Sequence, residues 1–214
     1  MTAGCLEWGA ARWARRGQRT CGDHHVVAVA GDTVLVGAVD GIGHGPEARR
    51  AAVAALDTVR GYANEELPRL ITRCHEALAG TRGAVMGLAR FRSVPRTLAW
   101  LGVGNIGGWL QRSQAGVEAP DPQAVMPLLA RSGVVGIGKL PTLQPTVVPL
   151  AERDTLVVTT DGVTGDLTAA IRRALSPGSL ARRVLDEFGT HDDDALVVVA
   201  RFLGAMGGVG APAR

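Results

Sequence analysis

Cysteine is scarce in this chain: Cys5, Cys21 and Cys74 are the only three in 214 residues, and no two form a CxxC pair. That excludes a disulfide framework and a thiolate zinc site, and it fits a reducing, cytoplasmic compartment. Aromatic residues make up only 4%, so Val, Leu, Ala and Ile must fill the core. Charge of one sign does not dominate either. The formal net charge is +3, and the basic pI reflects dispersed arginines, the densest group being Arg12, Arg15, Arg16 and Arg19. That group reads as a solvated surface rather than a nucleic-acid patch. The longest stretch free of charge, residues 97–111, is broken by glycines and falls short of the ~20 residues of a membrane span. The N-terminus carries Glu7 and no apolar h-region, so no signal peptide is expected. No GxSxG occurs, which removes that serine-hydrolase signature.

What is present suffices for one well-cored domain, expected over residues 1–203, with a disordered tail at 204–214. Residues 24–31 and 33–40 are valine-rich and read as strands around Gly31-Asp32, a dipeptide that favours a two-residue hairpin turn. A helix is predicted from Pro46 to about residue 62, with Gly45 as N-cap and Pro46 at the first helical position. A second, over about 65–79, carries an apolar stripe that includes Leu67, Leu70, Ile71 and Cys74. Further strands are expected near 83–91, 96–103, 107–112, 155–161 and 195–202. Residues 113–145 read as long loops, and 164–174 and 178–188 as short helices. Strands dominate, and helices come in consecutive pairs rather than between successive strands. The pattern predicts an α+β protein with antiparallel sheets, not a doubly wound fold.

The chemistry starts at residues 38–46, "AVDGIGHGP", where a valine-rich strand runs into an acid among glycines. A phosphate cradle, a metal site and a plain turn all produce such a pattern. If Gly31 and Asp32 form the turn, each cross-strand pair has numbers that sum to 63. Asp23 then faces Asp40 on one side of the sheet, with Cβ atoms ~5 Å apart. Two like charges that close are destabilising unless a proton or cation lies between them. The bare backbone after Asp40 lets the Gly41 carbonyl approach the same cation, since hard divalent ions take carboxylate and carbonyl oxygens together. "DTLVVTTDGVTG" at 154–165 echoes "DTVLVGAVDGIG" at 32–43 and supplies Asp161, and "HDDDA" at 191–195 adds a third acidic group. Carboxylates without cysteine suit Mg²⁺ or Mn²⁺, and this many acids suit two ions.

These residues also match a known family. Residues 21–23 (CGD), 39–45 (VDGIGHG), 103–105 (VGN), 160–163 (TDGV) and 193–199 (DDALVVV) resemble, in order, the SpoIIE-type branch of the PPM metal-dependent protein phosphatases. Within that branch the chain is similar to the stressosome phosphatases, and the resemblance covers about residues 20–202. It implies a β-sandwich of two antiparallel sheets flanked on each side by a helix pair (α-β-β-α). It further implies hydrolysis of phosphoserine or phosphothreonine on a protein, with two Mn²⁺ or Mg²⁺ ions activating water and no side chain as nucleophile. A phosphorylated STAS-domain component of a stressosome or anti-sigma-factor switch is the implied substrate. By position, Asp40 would bridge the ions, the Gly41 carbonyl would bind one, and Asp161 with Asp193 (or Asp194, one residue on) would hold the other. Asp23 would be a ligand directly or through water, and Gly104, Asn105, Ser132 and Gly133 would form a substrate loop.

Some positions depart from the family pattern. Larger PPM enzymes carry a histidine directly after the Asp-Gly, where this chain has Ile42; His44, two residues on, is the candidate general acid. Leu196 stands where Ser or Thr is usual, an expected loosening around Asp193. Residues 133–140, "GVVGIGKL", miss a Walker A pattern by Leu140, and Pro141 spoils the helix a P-loop needs, so a mobile loop beside the active site is expected there. His24 and His25 are expected to pack or face solvent. Two rival functions stand beside the phosphatase: a non-catalytic PPM-like partner-binding module, and a metal-dependent hydrolase of small phosphate esters.

Overall fold

The computed structural model describes residues 1–113 and 124–204; the expected tail beyond residue 204 and part of the expected 113–145 loop lie outside these. The chain opens with strands β1 (Thr2–Ala3) and β2 (Leu6–Trp13), then the hairpin β3 (Asp23–Ala30) and β4 (Thr33–Gly41). Helices α1 (Pro46–Gly61) and α2 (Leu67–Ala77) follow. Next come β5 (Ala84–Arg92), β6 (Thr97–Val103), β7 (Gly107–Gln111), β8 (Val125–Pro127) and β9 (Ala130–Arg131). Strands β10 (Thr146–Pro149) and β11 (Thr155–Thr159), helices α3 (Thr168–Ile171) and α4 (Pro177–Phe188), and strand β12 (Ala195–Phe202) complete the order.

One sheet has the order β1-β2-β12-β11-β7-β8, and the other β10-β6-β5-β4-β3 with β9 on β6. Among the described residues all pairings are antiparallel except β6–β9, a small departure from the purely antiparallel expectation. The sheets stack through one apolar cluster that includes Val34, Val36, Phe91, Trp100, Leu156, Val158 and Val198. Helices α1 and α2 cover the outer face of the β3–β4–β5–β6 sheet with Leu56, Val59, Leu70 and Ile71. Helices α3 and α4 cover the other sheet with Ile171, Leu180, Val184 and Leu185. The expected α-β-β-α sandwich is thus observed. Each Val or Leu so buried contributes ~1.5–3 kcal/mol.

Three local expectations are corrected. Residues 1–19 carry no expected element, yet β2 lies inside a sheet, paired along its length with β12. The stretch expected as loop contains β8 and β9, and β10 follows it at a sheet edge, where Pro149 is tolerated. The helix expected over 164–174 shrinks to Thr168–Ile171.

Strand alternation decides where the acids point. On β4, Val34, Val36 and Ala38 face the opposing sheet, while Leu35 and Val39 face the helices. Asp40 continues the inward series at the end of the strand. A one-residue slip of β4 would turn Asp40 toward α1.

Candidate metal centre

Gly31 has φ 61°, the positive value a type II′ turn takes at its first central residue, and the chain reverses there. Ala30 is opposite Thr33, and eight pairs in register bring Asp23 opposite Asp40. Two-residue loops make Ala30/Thr33 a hydrogen-bonded pair, and bonding alternates along the ladder. Asp23/Asp40 is therefore a non-bonded pair, the type in which Cα atoms approach to ~4.5 Å and side chains crowd most. One step further, the Gly41 N–H donates to the Gly22 carbonyl at 3.4 Å.

The facing sheet supplies the partners. Leu156, Val158 and Thr160 form the inward series at β11, and Thr160 ends it. Its hydroxyl donates to Asp23 Oδ2 at 2.6 Å and accepts the Leu196 N–H at 2.9 Å. The next residue, Asp161, accepts from Asn105 Nδ2 on the loop between β6 and β7. On β2, Arg12 extends the series of Leu6, Trp8 and Ala10, and its Nη1 donates to the Asp23 carbonyl at 2.9 Å.

Burial is the largest cause that raises the Asp40 carboxyl above the ordinary range, followed by the charges of Asp23, Asp161 and Asp193. Asp23 is raised in the same sense, first by burial, with the Thr160 hydrogen bond opposing. Asp161 is also raised, by burial and then by Asp193. Four acids from separate segments thus lie in one another's field, a repulsion that a proton or a cation between Asp23 and Asp40 would relieve. Burial also pushes the Cys21 thiol up to about 12, which keeps it from competing as a thiolate.

The anticipated residues divide clearly. Asp23, Asp40, Asp161 and Asp193 converge at this end of the sandwich. Asp194 is buried, and its two oxygens accept the Arg15 and Gly22 N–H groups at 2.8 and 2.7 Å. It anchors backbone and leaves Asp193 on the open side. His44 is exposed on the loop after Asp40. Gly104 meets the other loop, its N–H donating to the Arg131 carbonyl at 2.8 Å, beside Ser132 and Gly133. The 133–140 segment is pinned rather than free: Ala84 and Val135 exchange backbone hydrogen bonds, and the Gly136 N–H donates to His75 Nδ1 at 2.9 Å. Leu196 lies in the core, and Thr160 supplies the hydroxyl at this place.

Thr160 and Arg12 are the residues sequence reading missed. Thr160 had a signal, a polar residue at the inward position of a buried strand. A second correction concerns Gly41. A Cβ there would lie 2.0 Å from the Ala48 carbonyl oxygen, and one on Gly162 would lie 2.0 Å from the Asp194 carbonyl oxygen. These glycines first allow backbones to close together, Gly41 against α1 and Gly162 against the 191–194 turn.

The donors fit a hard divalent ion: carboxylates and a backbone carbonyl, with raised proton affinity where a cation would replace a proton. Among the described residues no three His, Cys, Asp or Glu side chains form a closed metal cage.

Residues 30–203 match the family model of Stage II sporulation protein E (SpoIIE). The chain belongs to the SpoIIE family. A curated relative, phosphoserine phosphatase RsbX of Bacillus subtilis (strain 168), is 28% identical over 92 residues. The match covers 43% of this chain and 46% of the relative, so the chain spans less than half the length of that curated protein. A chain from the structure described as "The bacterial stressosome: a modular system that has been adapted to control secondary messenger signaling" is 31% identical. It covers 92% of this chain and 99% of its own length, with a TM-score of 0.81. RsbX in complex with magnesium is 20% identical, with 94% of this chain and 98% of RsbX covered and a TM-score of 0.80, a likeness of fold. The structural likenesses account for the sandwich, and the curated relative carries the name of a phosphoserine phosphatase. Among the described residues no helix is long and apolar enough to cross a membrane.

Proposed function

We propose that the chain is a metal-dependent phosphatase that hydrolyses phosphoserine or phosphothreonine on a signalling protein. The observation that carries the reading is the Asp23/Asp40 pair, two carboxylates set face to face at the end of the inter-sheet space. When bound, two Mn²⁺ or Mg²⁺ ions supply an activated water and neutralise phosphoryl oxygens as charge moves to the leaving alkoxide. Asp40 would hold both ions, with the Gly41 carbonyl as a further ligand of one; Asp161 and Asp193 would hold the second. Thr160 orients Asp23, and Asn105 orients Asp161, as outer-shell partners fix ligating carboxylates. The Gly104–Asn105 and Ser132–Gly133 loops border the place where a phosphorylated side chain would enter. His44, exposed beside it, is the group available to donate a proton to the leaving oxygen.

The likeness to a chain from a bacterial stressosome supports a signalling protein as substrate, and the family resemblance points to a phosphorylated STAS-domain component of it. Three free cysteines fit a cytoplasmic setting. The test is phosphate release from a phosphorylated STAS protein and from p-nitrophenyl phosphate, titrated with Mn²⁺ and Mg²⁺. Release that needs metal and is lost in Asp40→Ala supports the reading. No release from either at any metal concentration sinks it and leaves a binding module. A higher kcat/KM for p-nitrophenyl phosphate than for the phosphoprotein would favour a small-ester hydrolase.

A further inference from the structure

Beside the acid cluster lies a pocket of opposite charge. After β2 the chain passes the N-terminal end of α1 and encloses a cavity of about 410 Å³, lined by Arg12, Arg19, Arg49, His24, Cys21 and Thr20 among others. Among the described residues three guanidinium groups line it, and no carboxylate does. Among the described residues none of the three forms an ion pair, although Arg50, next to Arg49 on α1, pairs with Glu47. Arg12 is seated by its bonds to the Asp23 carbonyl and to His24 Nδ1. The pocket therefore adjoins the backbone of the acid site itself.

Thr20 and Arg49 also line a second hollow of about 350 Å³ with Pro46, Arg50 and Val53. Together the hollows make a groove along the first turns of α1, and Pro46 follows the loop that begins at Asp40. Three unpaired cations in one concavity repel each other until an anion enters. Guanidinium forks match carboxylate and phosphate oxygens in bidentate fashion, which a surface lysine patch would not do.

We propose that this pocket binds an acidic side chain, carboxylate or phosphate, that flanks the phosphorylated residue of the protein substrate. The proposal rests on the phosphatase reading above, and it names the local chemistry of the substrate. The groove positions such a group next to the site while the acid cluster handles the reacting phosphate. Specificity then comes from charge on the flanking sequence rather than from the reacting group.

The test compares two phosphopeptides, one flanked by Asp and Glu and one by Ala, with p-nitrophenyl phosphate as a third substrate. Wild type is expected to show a KM about tenfold lower for the acidic peptide, the size of one charge-assisted contact. In Arg19→Ala/Arg49→Ala that preference collapses, and in Arg49→Glu it reverses. Anisotropy of a labelled, unphosphorylated acidic peptide in EDTA reads the pocket without turnover. Tighter binding than the Ala-flanked control, lost in the double variant, supports the pocket even if no phosphate is released; failed release then counts against the phosphatase reading alone. Equal KM and equal anisotropy for the two peptides overturn the proposal, as does a preference that survives both variants. If inorganic phosphate binds through these arginines while the peptides are not distinguished, the pocket takes a free oxyanion and the proposal falls.

Discussion

Asp23 and Asp40 are direct cross-strand partners on the inward face of the β3–β4 hairpin, and burial raises both carboxyls, helped at Asp40 by the Asp23 charge and at Asp23 by the charges of Asp194 and Asp161. A raised folded-state value means the folded chain holds protons that the unfolded chain has released. The stability this contributes is present below the ordinary carboxylate range near ~4 and is lost as pH rises through the raised values.

Asp40→Asn should therefore leave the metal-free protein more stable than wild type at pH 8, by a margin that narrows at pH 5 and closes only near pH 4. Thermal unfolding in EDTA at the two pH values checks this. A gain of 1 kcal/mol corresponds to ~2–4 °C at this chain length. Added Mg²⁺ should raise the wild-type midpoint and leave that of Asp40→Asn in place. A gap that is larger at pH 5 than at pH 8 would reverse the assigned sign.

Thr160→Val tests the hydroxyl shared by Asp23 Oδ2 and the Leu196 N–H. The isostere leaves a buried N–H without its acceptor and costs ~1–3 kcal/mol. Metal affinity should weaken ~10–100-fold, as for other partners of ligating carboxylates. Thr160→Ser keeps the hydroxyl and should restore most of both. Isothermal titration with Mn²⁺ separates the two effects.

Adjacent Asp193 and Asp194 should behave in opposite ways. Asp194→Ala removes the acceptor of two backbone N–H groups, each hydrogen bond to a charged acceptor being worth ~1.5–3 kcal/mol, so the midpoint should fall steeply. Asp193→Ala loses only one local acceptor, that of the Asp194 N–H, so its midpoint should fall less, and it should lose much of its metal-induced shift. Equal destabilisation by the two substitutions would refute the division of roles.

The hairpin, and with it the Asp23/Asp40 pair, was legible because turn length and strand alternation are both local. The same holds for β12, whose apolar run stands alone between an acidic turn and the chain's end. Strand β2 was not legible. Gly9 interrupts its pattern, and it is there because α4 packs so close that a Cβ would lie 2.4 Å from the Gly178 Cα. The different settings of Asp193 and Asp194 were closed to sequence for a similar reason. They come from N–H groups of Arg15 and Gly22 that Asp194 accepts, 179 and 172 residues away. The arginines near the N-terminus read as a solvated surface until Arg49, on a separate element, closed a pocket with Arg12 and Arg19.

Gly41 supplies the last prediction, because two causes for the same glycine make different demands. If it only cleared space for a ligand, Gly41→Ala would fold as well as wild type and lose function alone. The Ala48 carbonyl oxygen 2.0 Å from the added Cβ belongs to the α1 backbone and cannot rotate aside. Helix α1 must move, and overpacking of this kind costs ~1–3 kcal/mol. The metal-free midpoint of Gly41→Ala should fall by several degrees, roughly 2–4 °C for each kcal/mol. Gly61→Ala is the control: nothing lies within 4 Å of its added Cβ, and it should hold or slightly raise the midpoint. An unchanged metal-free midpoint for Gly41→Ala would return this glycine to a purely ligand-facing role.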